Sequence, residues 1–231
     1  MENGNLMEWN EKVNSGSADT VAVTAASQGI VPKGGNWVMK QSVTGSYGGT
    51  RMQRYPEIGS LAAAGTTFYI SWWDYYPTKL TAAGPGFMFA NFEIASQDNC
   101  AACYNPIWGL FVNPADFTLV LGWSPNGLAP AEGPHAGESG KRAYYSPQPI
   151  PVGQWVFFEV MITPSSTFTG AVKIWMNGQV LFDLANVKTR YPSVGVGGMM
   201  WTAHTGYGSD ISPTPAVHYV DDVTISLGRL R

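Results

Sequence analysis

The sequence predicts an all-β protein, an antiparallel β-sandwich formed as one domain over residues 1–231. Short stretches with period-two alternation or a compact apolar run follow one another along the chain, and helical periodicity is nearly absent. The 27 glycines and 16 prolines supply turns between these stretches, and 231 residues can bury one large core between two sheets. Strands are predicted at 19–26, 36–43, 66–76, 86–95, 107–113, 116–122, 154–163, 170–176, 179–184, 194–203 and 216–227.

Two connecting segments differ from ordinary turns. Residues 58–64 could hold a helical turn, which nearby glycines would keep short. Residues 124–150 are rich in proline and glycine and are predicted to form an extended loop over one edge or mouth of the sandwich. Long loops on a rigid sandwich are common places for ligand contacts.

The charge content narrows the class of ligand. Charged residues make up 13% of the chain and the formal net charge is -3. This balance argues against nucleic acid as a partner, because nucleic-acid recognition depends on a basic surface. A surface with few charges suits neutral, hydroxyl-rich ligands. No apolar run approaches the roughly 20 residues that a membrane-spanning helix needs.

Cys100 and Cys103 are separated by two residues in a turn-like stretch. This spacing is half of a zinc site, but no second pair completes it. A redox role is disfavoured because no βαβ pattern surrounds the pair. A local disulfide that stiffens the loop is therefore the favoured interpretation.

Motifs at both ends of the chain belong to one kind of domain. Residues 2–9 fit the opening pattern Glu-x-Gly-Asn-Leu-x-x-Trp, and the last third holds a strand led by Gly153-x-Trp155, a hairpin on Asn177-Gly178 and a closing strand with two adjacent aspartates. This order resembles concanavalin A-like jelly rolls, and within that group it is similar to heparin-lyase and glucuronan-lyase type polysaccharide lyases and related laminin-G-like domains. The resemblance implies a jelly roll, an extracellular polysaccharide partner, and a monomer or a module of a larger secreted protein.

The strand at 66–76 carries aromatic side chains on both faces. Alternation places Tyr69, Ser71, Trp73 and Tyr75 on one face. Sugars bind to exposed sheet faces by stacking on aromatic rings, so Tyr69, Trp73 and Tyr75 are candidate substrate-binding residues. The alternative is that these rings only fill a large sandwich.

Two further strands supply candidate binding residues. In 86–95, taken as the neighbouring strand, alternation predicts that Phe89, Asn91 and Glu93 point into the same sugar-binding groove as these aromatic residues, while Ala90 faces the core. The alternative for Glu93 is an exposed position without a role. In 194–203 and beyond, Met200, Thr202 and His204 share one face and Trp201 lies on the other. Asn91, Glu93 and Trp201 are counted among the substrate-binding candidates.

A lyase that cleaves a uronate polymer must neutralise the substrate carboxylate, remove the proton next to it and protonate the leaving oxygen. Arg51 or Arg54 could neutralise the carboxylate, with Gln53 or Asn91 assisting. The resembling lyases carry a tyrosine-containing catalytic strand near this part of the chain, where Tyr207 and His204 are the candidate base and acid. The chain lacks the Gln-x-His and Tyr-x-Lys-x-Gly-x-Tyr motifs of alginate-lyase relatives.

Other catalytic chemistries have less support. The carboxylate triplet of the retaining glycosidases in this superfamily does not occur, and no spacing supports a Ser-His-Asp triad. The resemblance also implies a structural Ca²⁺ where the first strand meets the last, with Glu2, Asn5, Asp221 and Asp222 as ligands. Hydrogen bonding of an aspartate to the opening loop is the alternative.

The scaffold motifs are present and the catalytic motifs are altered, so the sequence favours a non-catalytic carbohydrate-binding domain with an aromatic-lined concave sheet face. A polysaccharide lyase acting by β-elimination is the first alternative. A structural or adhesive surface module is the second.

Overall fold

The computed structural model describes most of the chain. The described residues are 3–7, 9, 11–54, 61, 65–83, 89–96, 108–113, 115–122, 143–187, 189, 196–204 and 210–231.

Within these ranges the chain forms mainly strands, with a short 3₁₀ helix, Ala25–Gln28, and a helical residue at Leu61. In chain order the strands are β1 (Glu11–Thr24), β2 (Trp37–Arg54), β3 (Phe68–Tyr75), β4 (Thr81–Ala83), β5 (Phe89–Ser96), β6 (Trp108–Val112), β7 (Thr118–Gly122), β8 (Ala143–Pro149), β9 (Trp155–Thr163), β10 (Gly170–Met176), β11 (Gln179–Val187), β12 (Val196–His204), β13 (Asp210–Ser212) and β14 (Ala216–Ser226).

All pairings of the large sheet are antiparallel, in the order β11-β10-β9-β3-β14-β2-β12-β5-β6-β7-β8, with β1 paired to β2. The 18-residue strand β2 belongs to both halves of this order. Its residues 39–43 pair with β14, whereas its residues 49–54 pair with β12. The first layer is thus β11, β10, β9, β3, β14 and residues 37–43, and the second layer is residues 49–54, β12 and β5 to β8.

The hydrophobic core lies between these two layers. One buried cluster contains Ile70 and Trp72 of the first layer together with Met52, Trp108 and Leu121 of the second. Burial of large apolar side chains is the main stabilising term in such a sandwich. The predicted all-β antiparallel sandwich is confirmed.

Two turns show why the predicted hairpins form where they do. Asn177 and Gly178 have φ values of 50° and 82°, the positive values that a tight two-residue hairpin requires. The Asn177 side-chain Oδ1 also accepts a hydrogen bond of 2.9 Å from the backbone N–H of Phe157. Gly153 has φ 70° and donates its N–H to the Tyr76 carbonyl at 2.8 Å, which fixes the entry into β9.

Each predicted strand corresponds to an observed strand, but β4 and β13, which pair with each other as a small second sheet, were not predicted. Three further corrections follow. β1 and β2 are longer than predicted because they pair with each other along both layers. Residues 143–149, predicted as loop, form β8, whose Pro147 and Pro149 are tolerated because β8 is the edge strand of its layer. The end of the predicted strand 19–26 is instead the 3₁₀ helix, which Gly29 terminates in the left-handed conformation.

Of the predicted helical turn at 58–64, only Leu61 is among the described residues, and it is helical. Cys100 and Cys103 lie outside the described residues. No helix in the described part of the chain is long and apolar enough to cross a membrane.

Candidate active site

Three neighbouring strands of the second layer, β2, β12 and β5, bring candidate residues together. Gln53 of β2 pairs with Met200 of β12, and Met200 pairs with Glu93 of β5. Directly paired residues of antiparallel strands lie on the same face of a sheet. Gln53 and Glu93 therefore share one face, about 10 Å apart across two strand spacings.

This face is the outer face of the second layer. Thr50 and Met52 are each 1% exposed, and Met52 belongs to the core. Because successive strand residues alternate between faces, Arg51 and Gln53 lie on the side away from the core. Arg51 pairs with Thr202.

His204 completes the set. It pairs with Gly49, which alternation puts on the same face as Arg51 and Gln53. From Gly49 to Gln53 the strand rises about 13 Å. We refer to Arg51, Gln53, Glu93, Thr202 and His204 as the polar patch.

Asn91 stands beside the polar patch in an irregular part of β5. Ala90 pairs with Phe111 and Phe92 with Leu110, which leaves Asn91 as the extra residue of a bulge. The bulge reverses part of the predicted alternation, since Phe89 now lies opposite the core residue Val112. Bulges beside active sites commonly re-aim one residue.

The strand register does not bring two other candidates into the polar patch. Trp201 pairs with Met52, a core residue. Arg54 pairs with Met199, in a row that continues through Ile94 to the buried Trp108. Trp201 and Arg54 therefore lie in rows shared with core residues and not in the row of Glu93, and their roles in substrate binding and catalysis stay predictions. Tyr207 lies outside the described residues.

The aromatic candidates of β3 lie on the opposite side of the molecule. Tyr69, Trp73 and Tyr75 alternate with Ile70 and Trp72, which are core residues. They therefore occupy the outer face of the first layer, and the core separates them from the polar patch. The expectation of one groove lined by both sets is corrected.

Other rings and cations already contact these aromatic side chains. Trp73 lies 5.0 Å from Phe157 between ring centroids, and Tyr75 lies 5.4 Å from Trp155. The Lys33 ammonium is 4.3 Å and the Arg231 guanidinium 4.8 Å from the Trp73 centroid. Each such cation–π contact contributes about 0.5–1 kcal/mol at an exposed site. Protein groups thus use ring surface that sugars were predicted to use.

The predicted calcium ligands make other contacts. One Asp221 oxygen accepts hydrogen bonds from the backbone N–H groups of Lys33 (2.7 Å) and Gly34 (3.2 Å), and the other accepts one from Asp222 N–H (2.8 Å). Burial raises the pKa of Asp221, and these hydrogen bonds oppose the increase. The Asn5 Oδ1 accepts from Met7 N–H at 3.0 Å.

These contacts fit a calcium ion poorly, because the groups around Asp221 are N–H donors and a hard cation needs oxygen ligands. In the part of the chain that is described, no three His, Cys, Asp or Glu residues are grouped as a metal site. Glu2 is outside that part, so the calcium site stays a prediction.

Solved structures of other proteins share this fold. The crystal structure of endo-β-1,4-glucuronan lyase from the fungus Trichoderma reesei has a TM-score of 0.60 at 14% identity, covering 96% of this chain and 92% of that one. Alginate lyase vAL-1 from Chlorella virus has a TM-score of 0.55 at 13% identity, covering 94% and 92%. At these identities the likeness shows a shared jelly-roll-like β-sandwich.

The chain also matches the family model for polysaccharide lyases over residues 2–223. It belongs to the polysaccharide lyase family, which favours the lyase alternative over the binding domain that the sequence favoured. No curated protein is similar enough to count as a relative.

One member of the polar patch was not a sequence candidate. Thr202 was placed on the face of His204 but given no role, and the register puts it directly opposite Arg51. The alternation of Thr50, Arg51, Met52 and Gln53 was a usable signal for extending β2. The order of β2, β12 and β5 could not be found from local pattern, because these strands are far apart in the chain.

Proposed function

We propose that this protein is a polysaccharide lyase that cleaves a uronate-containing glycan by β-elimination at the polar patch. The supporting observation is the strand register, which gathers a guanidinium, an amide and an imidazole residue on one outer face. Membership of the polysaccharide lyase family gives this arrangement its chemical context.

The reaction sets the requirements. A base removes the proton on the carbon next to the uronate carboxylate, the bond to the leaving glycosidic oxygen breaks, and a carbon–carbon double bond forms. The leaving oxygen takes up a proton. The transition state carries more negative charge near the carboxylate than the substrate does, so a fixed cation or hydrogen-bond donor there lowers the barrier.

Arg51 and Gln53 suit the substrate carboxylate. A guanidinium binds a carboxylate through two parallel N–H donors and remains charged at all relevant pH values. The Gln53 amide offers two more donors in the next row of the same strand. Glu93 is not assigned to this role, because an ionised carboxylate would repel the substrate; it would instead accept hydrogen bonds from sugar hydroxyls.

His204 is the candidate for proton transfer among the described residues. Imidazole changes protonation near neutral pH, which suits a group that both accepts and donates a proton. On the same face, the row of Thr202 and Arg51 lies between His204 and the row of Gln53 and Met200. Tyr207, three residues further, is the proposed partner that would divide the base and acid roles with His204.

Uronate polymers are the first substrates to examine, because two solved structures of similar fold are lyases named for glucuronan and alginate. We propose action on an extracellular polysaccharide. The purified protein should be incubated with glucuronan, alginate and a neutral glucan while ultraviolet absorbance and affinity-gel retention are followed in parallel. Absorbance from the new double bond, with uronate polymers only, would establish the lyase; retention without product would establish a binding domain.

A further inference from the structure

A continuous series of hydrogen-bonded, buried polar side chains runs from β3 through β14 and the first half of β2 to β1. His218 Nδ1 lies 3.1 Å from Asp74 Oδ1, and His218 Nε2 lies 2.7 Å from Gln41 Oε1. Gln41 Nε2 donates to Thr20 Oγ1 at 3.2 Å, and the Thr20 and Thr50 hydroxyls form a further hydrogen bond. We call Asp74, His218, Gln41, Thr20 and Thr50 the buried polar chain.

The buried polar chain is almost completely removed from solvent. Each of its five side chains is at most 1% exposed. Burying polar groups is costly unless they are hydrogen-bonded, and a fully bonded network fixes one arrangement of the strands that carry it. Neighbouring core positions on the same strands hold apolar residues such as Met39 and Val220. The polar groups therefore fix the relative positions of these strands more precisely than apolar side chains would.

The last link of this chain joins the two layers. Thr20 of β1 pairs with Gln41 in the first half of β2. Its hydroxyl, however, bonds to Thr50 in the second half of β2. Between these halves the register shifts, since Gly16 pairs with Gly48 and Ala18 with Val43. The Thr20–Thr50 hydrogen bond thus spans the irregular part of β2.

Thr50 adjoins the polar patch from the core side. It directly precedes Arg51 and pairs with Ala203, which Thr202 and His204 flank in the chain. We propose that Thr50, held by the buried polar chain, is a positioning residue that sets the relative placement of Arg51 and His204 for catalysis. This proposal rests on the proposed lyase function.

The kinetic test replaces the hydroxyl and then restores it. Thr50→Val keeps the shape and removes the hydrogen bond, so we expect kcat on the cleaved polyuronate to fall about tenfold with KM nearly unchanged. Thr50→Ser keeps a hydroxyl and should recover most of that loss. Thr67→Val is the control, because the Thr67 and Thr163 hydroxyls form a 2.9 Å bond at a part-buried position of the first layer, away from the polar patch; its kcat should equal that of the unmodified protein.

Hydrogen exchange provides a readout that does not depend on activity. In Thr50→Val, exchange should increase in peptides covering 49–54 and 199–204, and Thr67→Val should leave both unchanged. Unchanged exchange in these peptides, or an equal increase across the whole chain, would overturn the positioning role. If the unmodified protein cleaves no polyuronate, the proposed function fails, and a local increase in exchange still supports the restraint by Thr50.

Discussion

The Arg229 Nε donates a 2.8 Å hydrogen bond to Glu159 Oε2, and the Glu159 side chain is 1% exposed. The other oxygen of Glu159 accepts from the backbone N–H of Leu230 at 2.7 Å. The same Arg229 guanidinium lies 4.4 Å from the Trp175 ring centroid. This buried carboxylate thus holds the last residues of the chain against the outer face of the first layer.

Removing Arg229 should destabilise the protein measurably. Arg229→Ala leaves a buried carboxylate without its cation, and we expect a loss of about 1–3 kcal/mol, below the cost of breaking a fully buried pair because Arg229 is 38% exposed. Lys173→Ala is the matched control, since Lys173 also contacts Trp175 but pairs with the exposed Asp183; it should cost at most about 1 kcal/mol. Denaturant unfolding measures both, and equal losses would contradict this account.

Tyr76→Phe should leave stability unchanged or raise it slightly. Within the described part of the chain the Tyr76 Oη is buried without a hydrogen-bond partner. Burial, and next the nearby Asp74, raise the pKa of Tyr76 well above its ordinary value, so the phenol stays neutral. Tyr219→Phe is the comparison, because Tyr219 Oη donates to Gln28 Oε1 at 3.0 Å. It should cost about 0.5–1.5 kcal/mol in denaturant unfolding. A larger loss for Tyr76→Phe than for Tyr219→Phe would show that the phenol is satisfied.

Two aspartates should titrate on opposite sides of 3.8, their usual value. Hydrogen bonds from the Thr118 hydroxyl and N–H lower the pKa of Asp116, so its stabilising contribution is complete above 3.8 and is lost as pH falls through the lower folded value. Burial raises the pKa of Asp221, so its charge destabilises the fold increasingly as pH rises from 3.8 through the higher folded value. Carboxyl-detected NMR measures both, and Thr118→Val should move Asp116 alone upward.

Arg51 and Arg54 provide a direct comparison, because Arg51 lies in a row on the outer face and Arg54 lies in a row shared with core residues. Arg51→Gln should lower kcat/KM on the cleaved polyuronate by about 100-fold, the usual effect of removing one preorganised charge from the transition state. Arg54→Gln should change it by less than about threefold, because Arg54 belongs to the row of Trp108. The initial rate of absorbance increase measures kcat/KM for both variants. A larger loss for Arg54→Gln than for Arg51→Gln would mean that the strand register does not identify the site.

A chelator should leave the unfolding temperature unchanged. Both Asp221 oxygens already accept backbone N–H groups, and this contact needs no cation. Thermal unfolding with and without EDTA measures the effect. A decrease that added Ca²⁺ reverses would instead support a calcium site with Glu2 and Asp222.

Local pattern was sufficient for most strands and for the Asn177–Gly178 hairpin, because alternation and turn preference are properties of neighbouring residues. It also separated Tyr69 and Trp73 from Ile70 and Trp72 correctly. It could not tell which outer face each set would occupy, since that depends on strand order across the whole sheet. Arg231, far from β3 in the chain, contacts Trp73 only because the chain folds back after β14.

The polar patch is a second case in which the strand order could not be predicted from local sequence pattern. Arg51, Gln53, Glu93 and His204 were candidates, yet their common face follows from pairings between β2, β12 and β5. Asn91 escaped alternation because a bulge adds one residue to β5. Even a correct strand list would therefore have misplaced part of this surface.

Because β2 belongs to both layers, it affects how the molecule unfolds. One layer cannot be removed without taking away a strand that the other layer needs, and the polar link from Thr20 to Thr50 strengthens this dependence. We therefore expect that neither layer is a separable subdomain, because loss of order in one would spread to the other. On this expectation the two layers unfold as a single cooperative unit, and a proteolytic fragment holding only one of them does not persist as a folded half.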